Sequence, residues 1–96
     1  MGAKPRYRPK RLAEKLAHIR KSLGLSQSEI VRLLDLDNLD SCRISEYERD
    51  IREPSLITLL AYGYLVGIPI DDFVDDNVDL PAEIKIKQRR RRVTLS

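Results

Sequence analysis

The segment from Arg20 to Pro54 constrains the fold of this chain more than any other part of the sequence. It contains two short stretches in which apolar residues recur at helical spacing, separated by an acidic connector. One further helical pattern precedes the segment and others follow it. No strand pattern occurs before residue 83. The order of these patterns predicts an all-α domain of five helices.

Start and stop signals place the first two helices. The first begins after Pro9 and ends at Gly24, which suits a left-handed C′ position. The second begins at Ser26, where the Ser-Gln-Ser-Glu sequence up to Glu29 predicts a capping box. The residues expected on the buried faces of these two helices are Leu12, Leu16, Ile19 and Leu23, then Ile30, Leu33 and Leu34.

The remaining helices follow the same logic. Asp40 or Ser41 can cap the third helix, and Pro54-Ser55 starts the fourth. Gly63 costs roughly 1 kcal/mol relative to Ala inside a helix, so we expect a neighbouring helix to pack closely there. A short fifth helix spans 69–74. The core residues expected from these three helices are Ile44, Tyr47, Leu56, Leu59, Leu60, Tyr62, Val66, Ile70 and Phe73.

Composition excludes several functional classes. The chain of 96 residues is 42% hydrophobic and 34% charged, which fits one compact soluble domain. It contains one His and one Cys, so neither a metal cluster nor a nucleophile–base set is expected, and we predict neither enzyme activity nor a cofactor. The lone Cys42 fits a reducing cytoplasm. No apolar run predicts a membrane span, and the basic N-terminus is not a secretory signal.

Charge is distributed very unevenly along the chain. Residues 1–23 carry eight Lys/Arg and one Glu (+7), residues 24–82 carry four Arg and thirteen Asp/Glu (−9), and residues 83–96 carry six Lys/Arg and one Glu (+5), which sums to +3. Two basic ends therefore flank an acidic middle. Basic arms commonly bind polyanions because each neutralised phosphate releases a counterion, although basic termini are also often merely solvated.

The C-terminal segment allows two interpretations. Ile84-Lys85-Ile86-Lys87 alternates with a period of two and is followed by Arg89 to Arg92. It can form an edge strand that pairs with its twin in a dimer, or it can be a disordered basic tail. We accordingly divide the chain into a basic N-terminal arm (1–10), a helical domain (11–76) and a C-terminal extension (77–96).

From about Leu12 to Phe73 the chain resembles the lambda-repressor/Cro-type (XRE) helix-turn-helix family, in particular its small stand-alone bacterial members. The matching pieces are IRKSLGLSQSEI, RISEYERDIREPSLITLL and VGIPIDDF, in this order. The resemblance implies a lambda-repressor-like fold and sequence-specific binding of double-stranded DNA. It further implies a cytoplasmic, nucleoid-associated transcriptional regulator such as a repressor, which acts as a homodimer and needs no small-molecule ligand. The recognition helix, at about 41–49, would enter the major groove.

The resemblance also implies roles for individual residues. Arg20 and Glu48 match a buried pair that ties the first helix to the recognition helix, and Gln27 matches a position that grips a phosphate. Ser41, Cys42, Arg43, Ser45 and Glu46 match the surface that faces base edges. Arg43 is the strongest candidate for base reading, because a guanidinium can hold guanine O6 and N7 together. Arg49, Arg52 and the arm residues Arg6, Arg8 and Lys10 are candidates for phosphate contacts.

Two departures from the family pattern favour an alternative. The connector DLDNLD (35–40) is about three residues longer than usual, which could extend the second helix by a turn or tilt the recognition helix. Acidic residues also cluster around the recognition helix: Asp35, Asp37, Asp40, Glu46, Glu48 and Asp50. Apart from Glu48, none has an obvious basic partner. The alternative function is a protein-binding module, such as an antitoxin, that docks a basic partner on this acidic face or on the DDFVDDNVD segment.

Overall fold

The computed structural model describes residues 8–87. This part of the chain forms five helices: α1 (Leu12–Ser22), α2 (Gln27–Leu34), α3 (Ser41–Glu48), α4 (Leu56–Val66) and α5 (Ile70–Val74). No strand occurs within it. Helix α1 packs against α3 and α5, α4 packs against α2 and α5, and α2 packs against α3. The predicted all-α architecture and the number of helices are confirmed.

One hydrophobic core joins all five helices. Its completely buried members are Leu16, Ile19, Ile30, Ile44, Tyr62 and Phe73. The prediction was wrong for Leu56, which is 68% exposed. Helix α4 carries no charged residue, so its apolar pattern did not reveal which side faces the core. Leu56, Leu60 and Tyr64 are spaced by four residues and therefore share the outer side of the helix, where the latter two are only partly buried.

Local hydrogen bonds confirm the predicted helix ends. The Glu29 N–H donates to the Ser26 hydroxyl over 3.0 Å, and the Ser26 N–H donates to the Glu29 carboxylate over 2.7 Å. These two bonds complete the capping box. Gly24 is left-handed, with φ of 70°. Of the two residues that could cap α3, the structure selects Asp40, whose carboxylate accepts from the Arg43 N–H over 2.9 Å.

The capping box predicts an acid-dependent loss of stability. The hydrogen bond from the Ser26 N–H lowers the pKa of Glu29 below its ordinary value of 4.5. A carboxyl group with a depressed folded-state pKa stabilises the fold fully above its unfolded-state value, and this contribution is lost as the pH falls through the folded-state pKa. We expect Glu29→Gln, which keeps an acceptor but does not titrate, to show a shallower decline of the urea midpoint below about pH 4.5. Superimposable pH profiles for the two proteins would contradict this assignment.

The close approach at Gly63 comes from the chain's own backbone. A Cβ atom at this position would lie 2.7 Å from the Ile68 carbonyl oxygen, whereas the nearest atom of α5, on Phe73, would be 3.8 Å away. The Gly63 carbonyl accepts from the N–H groups of Gly67 and Ile68 as the chain leaves α4. The predicted crowding is present, but its main source is the turn after the helix and not a neighbouring helix.

The long connector does not extend α2. This helix ends at Leu34, and Asp35 terminates it in a left-handed conformation with φ of 52°. Asn38 is also left-handed, with φ of 60°. The extra residues therefore form a loop, in which Leu36 and Leu39 pack partly against the core. Of the two outcomes expected for the longer connector, the structure excludes the additional helical turn.

The described part of the C-terminal extension packs on the helical domain. Ile84 is buried in the core, and Ile86 is partly buried against it. The Lys87 N–H donates to the Leu65 carbonyl over 2.7 Å. Residues 84–87 form neither a helix nor a strand, and their apolar side chains face their own domain. The predicted tail of Arg89 to Arg92 lies outside the described residues.

An acidic segment after α5 holds the start of α1. No local side chain caps α1. Instead, the Asp76 carboxylate accepts from the N–H groups of Lys10 and Arg11 at 3.0–3.1 Å. The ammonium of Lys15, only 3% exposed, donates to the carbonyls of Asp72 and Asp75. Part of the acidic DDFVDDNVD segment is thus committed to contacts within the domain.

Candidate nucleic-acid interface

A buried ion pair joins α1 to α3. The Arg20 guanidinium donates to both Glu48 carboxylate oxygens, Nε to Oε2 over 2.8 Å and Nη2 to Oε1 over 2.9 Å. The side chains are 15% and 8% exposed. A third bond runs from Arg20 Nη1 to the Leu25 carbonyl over 2.9 Å. The hydrogen bond to Glu48 raises the pKa of Arg20. The predicted structural pair is present and bidentate, so it sets the orientation of α3 relative to α1 as well as the distance between them.

Two polar side chains surround this pair. The amide of Gln27, the first residue of α2, lies 3.4 Å from Glu48 Oε1. Gln27 is half-buried, and its contact with Glu48 places it where α2 meets α3. The Tyr62 hydroxyl is buried and has no hydrogen-bond partner among the described residues. Burial is the main cause of the raised pKa of Tyr62, and the nearby charge of Glu48 adds to it.

Helix α3 turns a polar side away from the core. Ile44 and Tyr47 are buried, and successive residues are 100° apart around a helix axis. The opposite side of the axis therefore carries Cys42, Ser45, Glu46 and Arg49, and Cys42 and Arg49 are exposed. Arg49 follows the last helical residue, and its Nε donates to the Ser45 hydroxyl over 3.2 Å. We call the surface formed by Ser41, Cys42, Arg43, Ser45, Glu46 and Arg49 the outer face of α3.

Ser41 and Arg43 lie at the two edges of the outer face. Ser41 lies on the side of Glu48, and Arg43 lies on the side of the long connector. Both are partly buried. The structure thus places the predicted base reader at the border of the outer face and not at its centre, where Cys42, Ser45 and Glu46 project.

Arginine side chains neutralise the acidic groups of α3. Glu46 Oε1 lies 3.4 Å from Arg43 Nε and 2.9 Å from Arg52 Nε. The sequence showed no obvious basic partner for Glu46, but in the structure Arg52 approaches its carboxylate from the loop after the helix. Both arginines are at least 40% exposed, and such surface pairs contribute only about 0–1 kcal/mol. A phosphate oxygen could replace Glu46 as their partner at little cost.

Arg8, in the described part of the N-terminal arm, contacts the chain at the C-terminal end of α3. Arg8 Nη2 donates to the Asp50 carboxylate over 2.8 Å and to the Asp50 carbonyl over 3.0 Å. Asp50 is left-handed, with φ of 60°, a conformation that Asp tolerates better than most residues. Arg8 is thus paired within the domain, whereas the Lys10 side chain is exposed. The predicted contact Arg6 lies outside the described residues.

A groove of about 510 Å³ borders the Arg43 edge of the outer face. Its walls are the long connector, α3 and the start of α4. The charged residues that line it are Asp35, Asp37, Arg43, Arg52 and Glu53. Sequence reasoning identified the acidic connector but missed the groove. The three extra residues of the connector were the available signal, since a longer loop must either protrude or enclose space.

The outer face of α3 can present hydroxyl, thiol, carboxylate and guanidinium groups to a polar surface. Within residues 8–87, no group of three or more His, Cys, Asp or Glu side chains could hold a metal ion. In the same range, every helix is too short or too polar to cross a bilayer.

Searches against protein-family models, curated proteins and solved structures found no match to this chain.

Proposed function

We propose that this protein is a helix-turn-helix transcriptional regulator of the lambda-repressor/Cro type that binds double-stranded DNA sequence-specifically. The observation that carries the proposal is the way α3 is held. Its inner side is anchored by the buried Arg20–Glu48 pair, and its outer face is polar and accessible. An α-helix with its side chains is about 10–12 Å in diameter, which matches the roughly 12 Å width of the major groove.

The charges around α3 support this function. The carboxylates of Glu46, Glu48 and Asp50 each contact an arginine, so they do not present unpaired negative charge to DNA. Arg49 lies at the C-terminal end of the outer face, Arg52 lies in the loop that follows, and both are exposed. In the proposed complex they contact phosphates, while side chains at the centre of the outer face, together with Arg43 at its edge, meet base edges.

A selection experiment tests the proposal directly. Purified protein is mixed with sheared genomic DNA at about 150 mM salt, where most sequence-independent phosphate binding is suppressed, and the retained DNA is sequenced. We expect a short palindrome with half-sites about 34–36 Å apart, as a homodimer would read. Recovery of unbiased fragments, or of no DNA, would overturn the proposal.

Two arginine variants separate base reading from phosphate binding. Arg43→Ala is expected to lose roughly 1–3 kcal/mol of binding free energy and to relax the preference at one base pair of the selected site. Arg49→Ala should weaken binding to all sequences alike and reduce the slope of affinity against salt. Arg32→Ala removes the same charge from the exposed side of α2 and serves as the control.

The readout for this prediction is the selected sequence together with the dissociation constant at two or more salt concentrations. An unchanged consensus for Arg43→Ala would reject base reading by this residue while leaving DNA binding by the domain intact. A loss for Arg32→Ala equal to that for Arg49→Ala would show that net charge, and not position on the outer face, determines the affinity.

The acidic groove favours a second function, a protein-binding module that docks a basic partner. The connector carboxylates of Asp35 and Asp37 lie on one wall and Glu53 lies on another. A stoichiometric partner that co-purifies with the native protein and depends on these residues would support this function. The DDFVDDNVD segment is a weaker docking surface, because Asp76 and Asp79 both contact Arg11, which directly precedes α1.

A further inference from the structure

Two arginines converge on a single carboxylate oxygen at the outer face of α3. Glu46 Oε1 lies 2.9 Å from Arg52 Nε and 3.4 Å from Arg43 Nε. Arg43 lies one turn before Glu46 on the helix, whereas Arg52 reaches the carboxylate from the loop after α3. Guanidinium groups bind phosphate oxygens through the same kind of charge-assisted hydrogen bond. Glu46 therefore occupies a position in which these two arginines could hold a phosphate.

The backbone after α3 directs Arg52 back toward Glu46. The N–H groups of Ile51 and Arg52 both donate to the Glu46 carbonyl, over 2.9 and 3.3 Å. These bonds fold the loop over the last turn of the helix and bring the Arg52 side chain to the Glu46 carboxylate, to which its Nε donates over 2.9 Å. The contact is thus a product of the loop geometry and does not depend on one favourable rotamer alone.

The cluster of Arg43, Glu46 and Arg52 is open to a ligand. The side chains are 40%, 31% and 51% exposed, in that order. Ion pairs with this exposure contribute little net free energy, because water and salt screen them. A ligand that offers each group a better partner can therefore separate the carboxylate from the two guanidiniums.

A G·C base pair offers such partners to two members of the cluster. In the major groove guanine presents the acceptors O6 and N7, and cytosine presents an amino donor. Arg43 can donate to guanine, while the Glu46 carboxylate can accept from cytosine. Side chains three residues apart on a helix are neighbours, so the two can reach the same base pair or adjacent ones. The phosphate backbone, in contrast, offers the carboxylate only repulsion.

We propose that Glu46 determines specificity by coupling base reading to the release of the two arginines. On DNA without a cytosine at the matching position, Glu46 stays with Arg43 and Arg52 and reduces their contact with DNA. At the selected site the cytosine amino group takes the carboxylate, so that Arg43 is available for guanine and Arg52 for a phosphate. The inference rests on the proposed DNA-binding function and adds to it a residue that acts mainly against wrong sequences.

Glu46→Gln tests this coupling. The amide keeps the size of the side chain but removes the charge that holds the arginines and accepts from cytosine. Dissociation constants are measured for the selected duplex and for an unrelated duplex of equal length at several salt concentrations. Affinity for the unrelated duplex should rise, and its slope against salt should steepen by about 0.9 for each further phosphate contact. Affinity for the selected duplex should not rise, so the ratio of the two affinities should fall by at least about fivefold.

Glu14→Gln is the matched control. Glu14 also contacts an arginine, Arg11, over 3.3 Å, but it lines a separate groove between α1 and residues 79–82. This variant should leave the affinity ratio unchanged. Equal gains in affinity for both duplexes in Glu46→Gln would overturn the proposal, because the general removal of a negative charge would then explain them.

The carboxyl group can also be followed in the wild-type protein, where no substitution can disturb the fold. The NMR signal of the Glu46 carboxyl carbon should shift when the selected duplex is added, since the carboxylate exchanges two arginines for a cytosine. With the unrelated duplex the signal should stay close to its position in the free protein. Equal shifts with both duplexes, or no shift with either, would contradict the exchange of partners.

Failure of the proposed function and failure of this inference give different results. If the wild-type protein selects no sequence, the DNA-binding proposal fails and the role of Glu46 falls with it. If the wild type selects a site and Glu46→Gln selects the same consensus with the same affinity ratio, DNA binding stands and only the role of Glu46 is rejected. Loss of a cytosine preference, at or beside the base pair affected by Arg43→Ala, would support both.

Discussion

Glu48→Ala is expected to lower the free energy of unfolding by about 3–5 kcal/mol, because it leaves the Arg20 guanidinium buried without its counter-charge. Arg20 is only 15% exposed, so water cannot replace the two lost hydrogen bonds. A domain of this size has a total stability of roughly 5–14 kcal/mol. The variant should therefore unfold at a much lower urea concentration, which far-UV circular dichroism can follow.

Glu14→Ala is the matched control. It removes a glutamate that also contacts an arginine, Arg11, but the Glu14 side chain is 66% exposed. Exposed pairs of this kind contribute little, so the urea midpoint should hardly move. Equal shifts for the two variants would contradict the assignment of Arg20–Glu48 as the anchor of α3.

Replacing both members of the buried pair shows why Glu48→Ala loses stability. The cause is either the unpaired charge that remains on Arg20 or the loss of the ion pair itself. Arg20→Met with Glu48→Leu substitutes apolar side chains and should recover most of the stability lost in Glu48→Ala. If the double variant folds but binds DNA poorly, the bidentate geometry matters for the orientation of α3. If the double variant is as unstable as Glu48→Ala, the unpaired buried charge of Arg20 is not the cause of the lost stability.

Ile84→Ala is expected to lower the free energy of unfolding by about 2–5 kcal/mol. Ile84 is only 5% exposed and belongs to the same core cluster as α1 and α4, although it lies ten residues beyond the end of α5. Truncation leaves a cavity that the neighbouring helices can fill only in part. The expected value lies toward the lower end of the range, because a segment outside helices and strands relaxes more easily than a helix.

Ile51→Ala makes the same chemical change at a surface position. Ile51 is 58% exposed, so its truncation should alter the free energy of unfolding by no more than about 0.5 kcal/mol. Similar small effects for both variants would show that residues 77–87 are dispensable for the core. The boundary at residue 76 would then be a true domain boundary, contrary to the packing described above.

Short-range chemistry accounts for the parts of this fold that could be predicted. The start of α2, the left-handed Gly24 and the cap at Asp40 each depend on residues within about four positions of one another, where rotational preferences and hydrogen-bond reach allow few choices. The Arg20–Glu48 pair spans 28 residues, and it was predicted only because the surrounding motif resembles that of a known family.

Tertiary packing decided the rest. The chain contains 18 basic and 15 acidic side chains, and no local rule selects Arg8 for Asp50, Arg52 for Glu46 or Asp76 for the start of α1. Helix α4 is apolar on every side, so only its neighbours determine that Leu56 faces water. The groove beside α3 arises in the same way, because its walls come from segments whose distance depends on how the helices pack. Hydrogen bonds and dihedral angles act over a few residues, whereas burial and ion pairing depend on which surfaces meet in the folded chain.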